Sequence, residues 1–308
     1  MAAKPRGQPV HGWIVLDKPQ GMSSAQAVAA VRRSLDAAKA GHSGTLDPLA
    51  TGVLPIALGE ATKTVAWAMA RRKTYRFTLR WGEARDSDDA EGRVIATSPI
   101  RPTTAALAAA LPRFIGLVEQ RPPAFSALKL AGERAYALAR AGERPDLAPR
   151  PVEILELRLI SLLDNEHAEL EAVVGKGTYI RALARDLGTA LGTFAHITAL
   201  RRLAVGRFRI EDAISLEILA ALGHSAGAFR HLLPVEAALD DIPALALTEA
   251  EAHRLRCGQA VTPLRPEDRA RIDQLGDGTT VCATIGGKPV ALTEISAGGL
   301  RPVRVLNL

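Results

Sequence analysis

Cysteine is almost missing from this 308-residue sequence, with Cys257 and Cys282 the two it has. Two cysteines in plain surroundings are too few for a disulfide framework or a cysteine-built zinc site, which points to a reducing compartment. Aromatic residues are scarce too, at 4%, with three tyrosines: Tyr75, Tyr136 and Tyr179. Each ring outside an evident core position therefore carries more information than usual. No apolar run approaches the roughly 18 residues that a membrane span needs. Residues 1–10 carry Lys4 and Arg6 with no apolar stretch behind them, so neither a signal peptide nor membrane attachment is expected. The expected location is cytoplasmic. Acidic side chains are the minority charge, 33 against 39 Lys and Arg, leaving a formal +6. That excess favours a polyanionic partner such as nucleic acid, although many GC-rich genomes encode arginine-rich housekeeping proteins with the same balance.

What is present reads as a soluble globular chain, 47% hydrophobic and 23% charged, long enough for one large and one small domain. Residues 11–16 read as a strand ending in the turn-rich Asp17-Lys18-Pro19-Gln20-Gly21. Ser23 or Ser24 then caps a helix with Val28, Val31 and Leu35 on its apolar face. An apolar run over 53–58 precedes a helix expected over 61–69. Residues 73–81 alternate, with Tyr75, Phe77, Leu79 and Trp81 on one face and Thr74, Arg76, Thr78 and Arg80 on the other. That is the period of a half-buried strand. Further strands are expected over 152–163 and 168–174, and Ile180, Leu183, Leu187 and Leu191 fall at helical spacing. Strands and helices in this irregular order predict an α+β fold, not a repeating βαβ barrel. Composition shifts near residues 233–243. Beyond it, a helix over 249–256 and a hairpin turning at Gly286-Gly287-Lys288 predict a small β-rich domain over 245–308.

The most informative string is Gly44-Thr45-Leu46-Asp47-Pro48-Leu49-Ala50-Thr51-Gly52. Pro48 biases Asp47 away from helical angles, and the flanking glycines permit sharp turns. A carboxylate held in such a loop points into a cleft; capping of the turn is the ordinary reading of an Asp-Pro pair taken alone. The one dense acidic cluster, Asp86, Asp88, Asp89 and Glu91, reads as a solvated loop. An EF-hand does not fit it, because the required glycine falls at Gly92, one position late.

The nine-residue string, preceded by His42, resembles the catalytic loop of the TruB-type tRNA pseudouridine synthases. Four further motifs lie in the family's order and spacing. They are Asp17-Lys18-Pro19-Gln20-Gly21-Met22-Ser23-Ser24, Gly59-Glu60-Ala61-Thr62-Lys63, Lys73-Thr74-Tyr75 and Lys176-Gly177-Thr178-Tyr179-Ile180-Arg181. Leu200-Arg201-Arg202 matches a third site segment. The resemblance implies the pseudouridine synthase fold, a mixed, largely antiparallel central sheet with flanking helices over residues 1–244. It also implies a thumb-like insertion over 121–150 and a PUA or PUA-like RNA-binding domain over 245–308. In the insertion, Phe125 stands where the family usually has tyrosine, keeping the ring and losing the hydroxyl.

The implied reaction breaks the glycosidic bond to uracil, turns the base and joins C5 to the sugar. Nothing is oxidised and no energy is consumed, so neither a metal nor a cofactor is expected. An ionised carboxylate is needed, whereas a hydrolase on the same loop would need a second positioned carboxylate for water. The resemblance makes Asp47 the nucleophile and Arg181 its partner, and makes Tyr75 the stacking residue and a proton-transfer group at C5. It places Tyr179 and Leu200 in the uracil pocket and His42 in the RNA stack. Lys18, Lys63, Asp89, Arg201 and Arg202 become candidate RNA contacts. A buried core tyrosine at Tyr75, an exposed helix arginine at Arg181, a structural histidine at His42 and solvated charges elsewhere are the competing readings. The implied substrate is the tRNA T-stem-loop, acted on at uridine 55 by a monomer without an obligatory protein partner. A catalytic subunit of an RNA-guided synthase and an RNA-folding module are the alternatives.

Overall fold

The computed structural model describes residues 7–126, 128–130, 133–134, 147–263 and 265–308. Tyr136 and half of the expected insertion over 121–150 lie outside the described residues.

The chain is α+β, and the large sheet is mixed and mostly antiparallel, as the sequence predicts. Its main path runs Ile214–Ser215, Gly12–Lys18, Thr51–Leu58, Ala195–Val205, Lys73–Trp81, His167–Val174, Arg150–Leu162 and Gly116–Gln120. Two neighbouring pairs on that path are parallel, Gly12–Lys18 with Ile214–Ser215 and Thr51–Leu58 with Ala195–Val205. The second of these pairs through Arg201 to Thr51 and Arg202 to Gly52. The alternation read over 73–81 holds: Tyr75, Phe77, Leu79 and Trp81 are buried on one face. Lys73 is buried on that same face, where the period calls for an apolar residue.

One side of the sheet is covered by the helices Ser24–Ser34 and Ile180–Ala190. Ser23 caps the first, in a capping box with Gln26. In the second, Ile180, Leu183 and Leu187 are buried, each contributing about 1.5–3 kcal/mol of apolar burial. That anchoring fixes the helix in rotation and so fixes where its arginines point.

Two local expectations are corrected. The helix expected over 61–69 is a 3₁₀ segment, Gly59–Thr64, followed by a short α-helix, Val65–Ala70. The hydroxyls of Thr62 and Thr64 donate to the carbonyls of Gly59 and Ala61, three residues back. Such back-bonding competes with α-helical pairing. Nor is the acidic cluster a solvated loop throughout: Asp88 and Asp89 are buried, because two arginines of the helix Ile180–Ala190 pair with them.

A separate four-stranded sheet follows, ordered Ala244–Ala246, Thr280–Ile285, Lys288–Ser296 and Gly299–Val305. Its hairpin turns at Gly286 and Gly287, both at positive φ (53° and 78°), the left-handed pair that a tight two-residue turn requires. It has its own core of Leu245, Leu255, Ile272, Val281, Ile295 and Leu300 among others. The helix Pro266–Leu275, not foreseen from sequence, starts at a proline in its first turn. The small sheet is tied back to the segment following the Asp47 loop. Lys63 Nζ bonds Glu60 at 2.7 Å and the Val305 carbonyl at 2.8 Å, and Asn307 N–H donates to Glu60 at 2.7 Å.

Candidate active site

Register brings the site together. Lys18 lies opposite Gly52, Gly52 opposite Arg202, Arg202 opposite Tyr75 and Tyr75 opposite Ala172. A single row across five strands thus carries three of the sequence's candidates. Gly52 sits at φ +98°, and a β-carbon there would collide with the Arg202 backbone carbonyl. Only glycine permits the two strands to approach at this point.

The Asp47 loop leaves this row and is held from below by three side chains. The Ser24 hydroxyl accepts from Leu46 N–H and donates to Leu46 O, both at 2.8 Å. Lys18 Nζ donates to the carbonyls of Met22 (2.7 Å), Pro19 (2.8 Å) and Pro48 (3.5 Å). Arg202 donates to the carbonyls of Val53 (2.7 Å), Gly44 (3.1 Å) and Thr45 (3.4 Å). Leu46, Leu49 and Ala50 are buried in the main core. The backbone on either side of Asp47 is therefore pinned, while its side chain keeps 39% exposure.

That carboxylate meets Arg181 at 3.0 Å. Arg181 is nearly buried, and it also donates to the carbonyls of Ser87 and Phe125, each at 2.8 Å, and faces Asp89 at 3.4 Å. Four acceptors around one planar guanidinium leave it little freedom to swing. Asp47, Tyr75, Tyr179, Arg181, Leu200 and Arg202 line one cleft of about 390 Å³, a volume suited to a small ligand. The Tyr75 hydroxyl lies 3.4 Å from Arg202. Tyr179 N-caps the helix Ile180–Ala190, and its N–H donates to the Gln120 side chain at 2.8 Å. Burial raises the Tyr179 phenol above its ordinary value, so it stays a neutral hydrogen-bonding ring near pH 7.

His42 ends the short strand Ala40–His42, half-buried and outside the walls of the cleft. Burial, then the charge of Arg202, lowers its pKa, which favours the neutral ring. Lys63 and Arg201 remain at the surface, Lys63 tied to Glu60 and Arg201 paired with Asp17 at 2.8 Å.

Three candidate RNA contacts are placed differently from expectation. Lys18 and Arg202 are fully enclosed, at 0% and 1% exposure, and their donors are directed at carbonyls of the Asp47 loop and its flanks. Asp89 is buried behind Arg181, accepting from the Ser87 hydroxyl at 2.6 Å. None of the three faces solvent where a phosphate would approach. Burial pushes Lys18 down to about 8, with the Asp47 charge opposing and that of Arg202 assisting.

Lys73 was missed as a site residue. It lines the cleft and donates to the carbonyls of Met69 and Arg71, both at 2.6 Å, closing the end of the helix Val65–Ala70. Burial, aided by Arg202, pushes it down to about 8. Its signal was available in the sequence as a lysine on the apolar face of an alternating strand. Ser24 and Gln120 were missed because their partners are distant in sequence.

This sheet with its cleft belongs to the pseudouridine synthase class of folds. The Cbf5–Nop10–Gar1 complex contains a chain 25% identical to this one (TM-score 0.72, covering 96% of this chain and 84% of that one). The archaeal box H/ACA sRNP Nop10–Cbf5 complex shares the fold at 22% identity (TM-score 0.72, 99% and 92%). Residues 32–180 match the family described as TruB family pseudouridylate synthase (N terminal domain). Residues 181–240 match the tRNA pseudouridylate synthase B C-terminal domain. The chain is 57% identical over 304 residues to the tRNA pseudouridine synthase B of Bradyrhizobium diazoefficiens, covering 97% of this chain and 86% of that one. It is 52% identical to that of Rhodospirillum rubrum over the full length of both. The chain belongs to the TruB family of pseudouridine synthases.

Proposed function

We propose that this chain isomerises the T-loop uridine of tRNA, position 55, to pseudouridine, with Asp47 as the nucleophile toward a flipped-out nucleotide. The observation that carries the proposal is the meeting of Asp47 and Arg181 at 3.0 Å in a cleft that Tyr75, Tyr179 and Leu200 also line. Flipping a base out of folded RNA costs a few kcal/mol, and stacking on an aromatic ring returns about 1–3 kcal/mol. Tyr75 and the apolar wall of Leu200 supply that surface beside the carboxylate. Arg181 orients one Asp47 oxygen and leaves the other free to attack. The separate sheet spanning Ala244–Ala246 to Gly299–Val305 acts as a PUA-like RNA-binding unit beside the catalytic unit of residues 1–244. Lys63 and Arg201, at the surface, meet the RNA backbone, and His42 enters the stack vacated by the base. The enzyme acts as a cytoplasmic monomer; among the described residues no helix is long and apolar enough to cross a membrane.

Purified protein and an unmodified tRNA transcript test this directly. Pseudouridine is expected at the single T-loop position with no guide RNA and no partner protein. Modification that appears only when a guide RNA is added would replace this reading with that of an RNA-guided subunit. Tyr75→Phe keeps the stacking ring and removes the hydroxyl. It is expected to bind tRNA normally and to slow completion of the product by about 10²–10⁴-fold, the usual range for a proton-transfer group. Product formation at the wild-type rate would remove the hydroxyl from the chemistry.

A further inference from the structure

The environment of Arg181 is repeated one helical turn further on. Arg185 lies four residues later on the helix Ile180–Ala190, on the same face. Arg181 donates to the carbonyl of Ser87 and to that of Phe125. Arg185 pairs with the Asp88 carboxylate at 2.8 Å and donates to the carbonyl of Arg121 at 2.7 Å. Both arginines therefore bridge the same two chain segments, one around Ser87 to Asp89 and the other from Arg121 to Phe125. Only Arg181 touches Asp47.

Asp88 has been built into this place at some conformational cost. It adopts φ +60°, a left-handed conformation rare outside glycine. Its backbone N–H bonds Arg85 O at 3.1 Å, and its carbonyl accepts from Ile197 N–H on the strand Ala195–Val205, also at 3.1 Å. The carboxylate is thereby presented to the helix from a fixed backbone.

We propose that Arg185 and Asp88 form a positioning pair for the reaction, locking together the two segments whose carbonyls hold Arg181 and so setting the angle at which Arg181 presents Asp47. Neither touches the substrate. The inference rests on the proposed pseudouridine synthase activity and deepens it.

Titration gives the pair a signature of its own. The charged groups facing Asp88 are Arg185, Arg181 and Asp186, all on the helix; Asp86 and Asp89 share its own segment. Burial, partly offset by Arg185 and Arg181, pushes the Asp88 carboxyl up to about 6. At neutral pH it is ionised and paired. As pH falls through about 6 it takes a proton and the ion pair is lost. Turnover should therefore fall on the acid side with a midpoint near 6, and Asp88→Asn should be slow and flat across that range.

The test measures single-turnover rate and tRNA affinity for wild type, Asp88→Asn, Arg185→Gln and Arg185→Lys between about pH 5 and pH 8. Wild-type modification of the transcript in the same assay verifies the underlying activity separately. The first two variants are expected to lose about 10- to 100-fold in rate, the scale of a misplaced catalytic group, with tRNA affinity unchanged. Arg185→Lys keeps the charge and is expected to melt as wild type does, with an intermediate rate. Wild-type rates in Asp88→Asn or Arg185→Gln would overturn the proposal, and so would an unaltered acid limb in Asp88→Asn. A rate loss in Arg185→Lys matched by a lowered melting temperature would also overturn it, making the pair a structural brace only.

Discussion

Asp47→Asn is expected to abolish pseudouridine formation, by about 10⁴-fold or more, as removal of a covalent catalytic group does, while tRNA binding persists. The substitution keeps the shape of the side chain and removes the charge of the proposed nucleophile. The surroundings are built to tolerate it. Backbone on both sides of Asp47 is held by Ser24, Lys18 and Arg202, none of which bonds the carboxylate. Arg181 exchanges a carboxylate for a neutral amide oxygen at one of its four acceptors and retains Ser87, Phe125 and Asp89. Mass analysis of the modified nucleoside, paired with a filter-binding affinity for the same tRNA, reads both halves of the expectation. Turnover near the wild-type level would refute the assignment, and a matching loss of affinity would make Asp47 a binding residue.

Arg202→Met should act on the fold before it acts on the RNA. Arg202 is enclosed and donates to three carbonyls on the two sides of the Asp47 loop. A buried polar group deprived of its partner costs about 1–3 kcal/mol. With partial relaxation among three shared acceptors, a loss of about 3–5 kcal/mol follows, a large fraction of the stability of an ordinary domain. The thermal midpoint should drop by roughly 10 °C for a domain of this size. The salt dependence of tRNA binding by the remaining folded enzyme should be unchanged. A phosphate-contacting arginine gives the reverse pattern, a stable variant whose affinity loses about one unit of salt slope. Thermal melts and salt titrations of one variant therefore separate the two roles.

The sequence was legible where the signal is local. The period over 73–81, the capping serine and the two-glycine hairpin each report a backbone preference within a few residues, and each matches the structure. The cleft residues Asp47, Tyr75, Tyr179, Arg181 and Leu200 were legible through motif resemblance, and the fold brings them to one cavity. What stayed hidden was the orientation of charge. Lys18, Arg202, Asp88 and Asp89 read as solvated or RNA-facing because charged side chains are mostly exposed. Their burial depends on partners such as Val53 O for Arg202 and Arg185 for Asp88, which lie 149 and 97 residues away. No local pattern encodes such pairings. Lys73 is the intermediate case, a charged residue that broke an otherwise apolar face and so marked itself.

The shared row of Lys18, Gly52, Arg202 and Tyr75 makes the centre indivisible. The strand Thr51–Leu58 is buried on both faces, so a slip of one residue would exchange its side chains between the two cores it separates and at the same stroke dislodge the loop's lysine and arginine supports. The pairing that seats this strand therefore also seats the walls of the cleft.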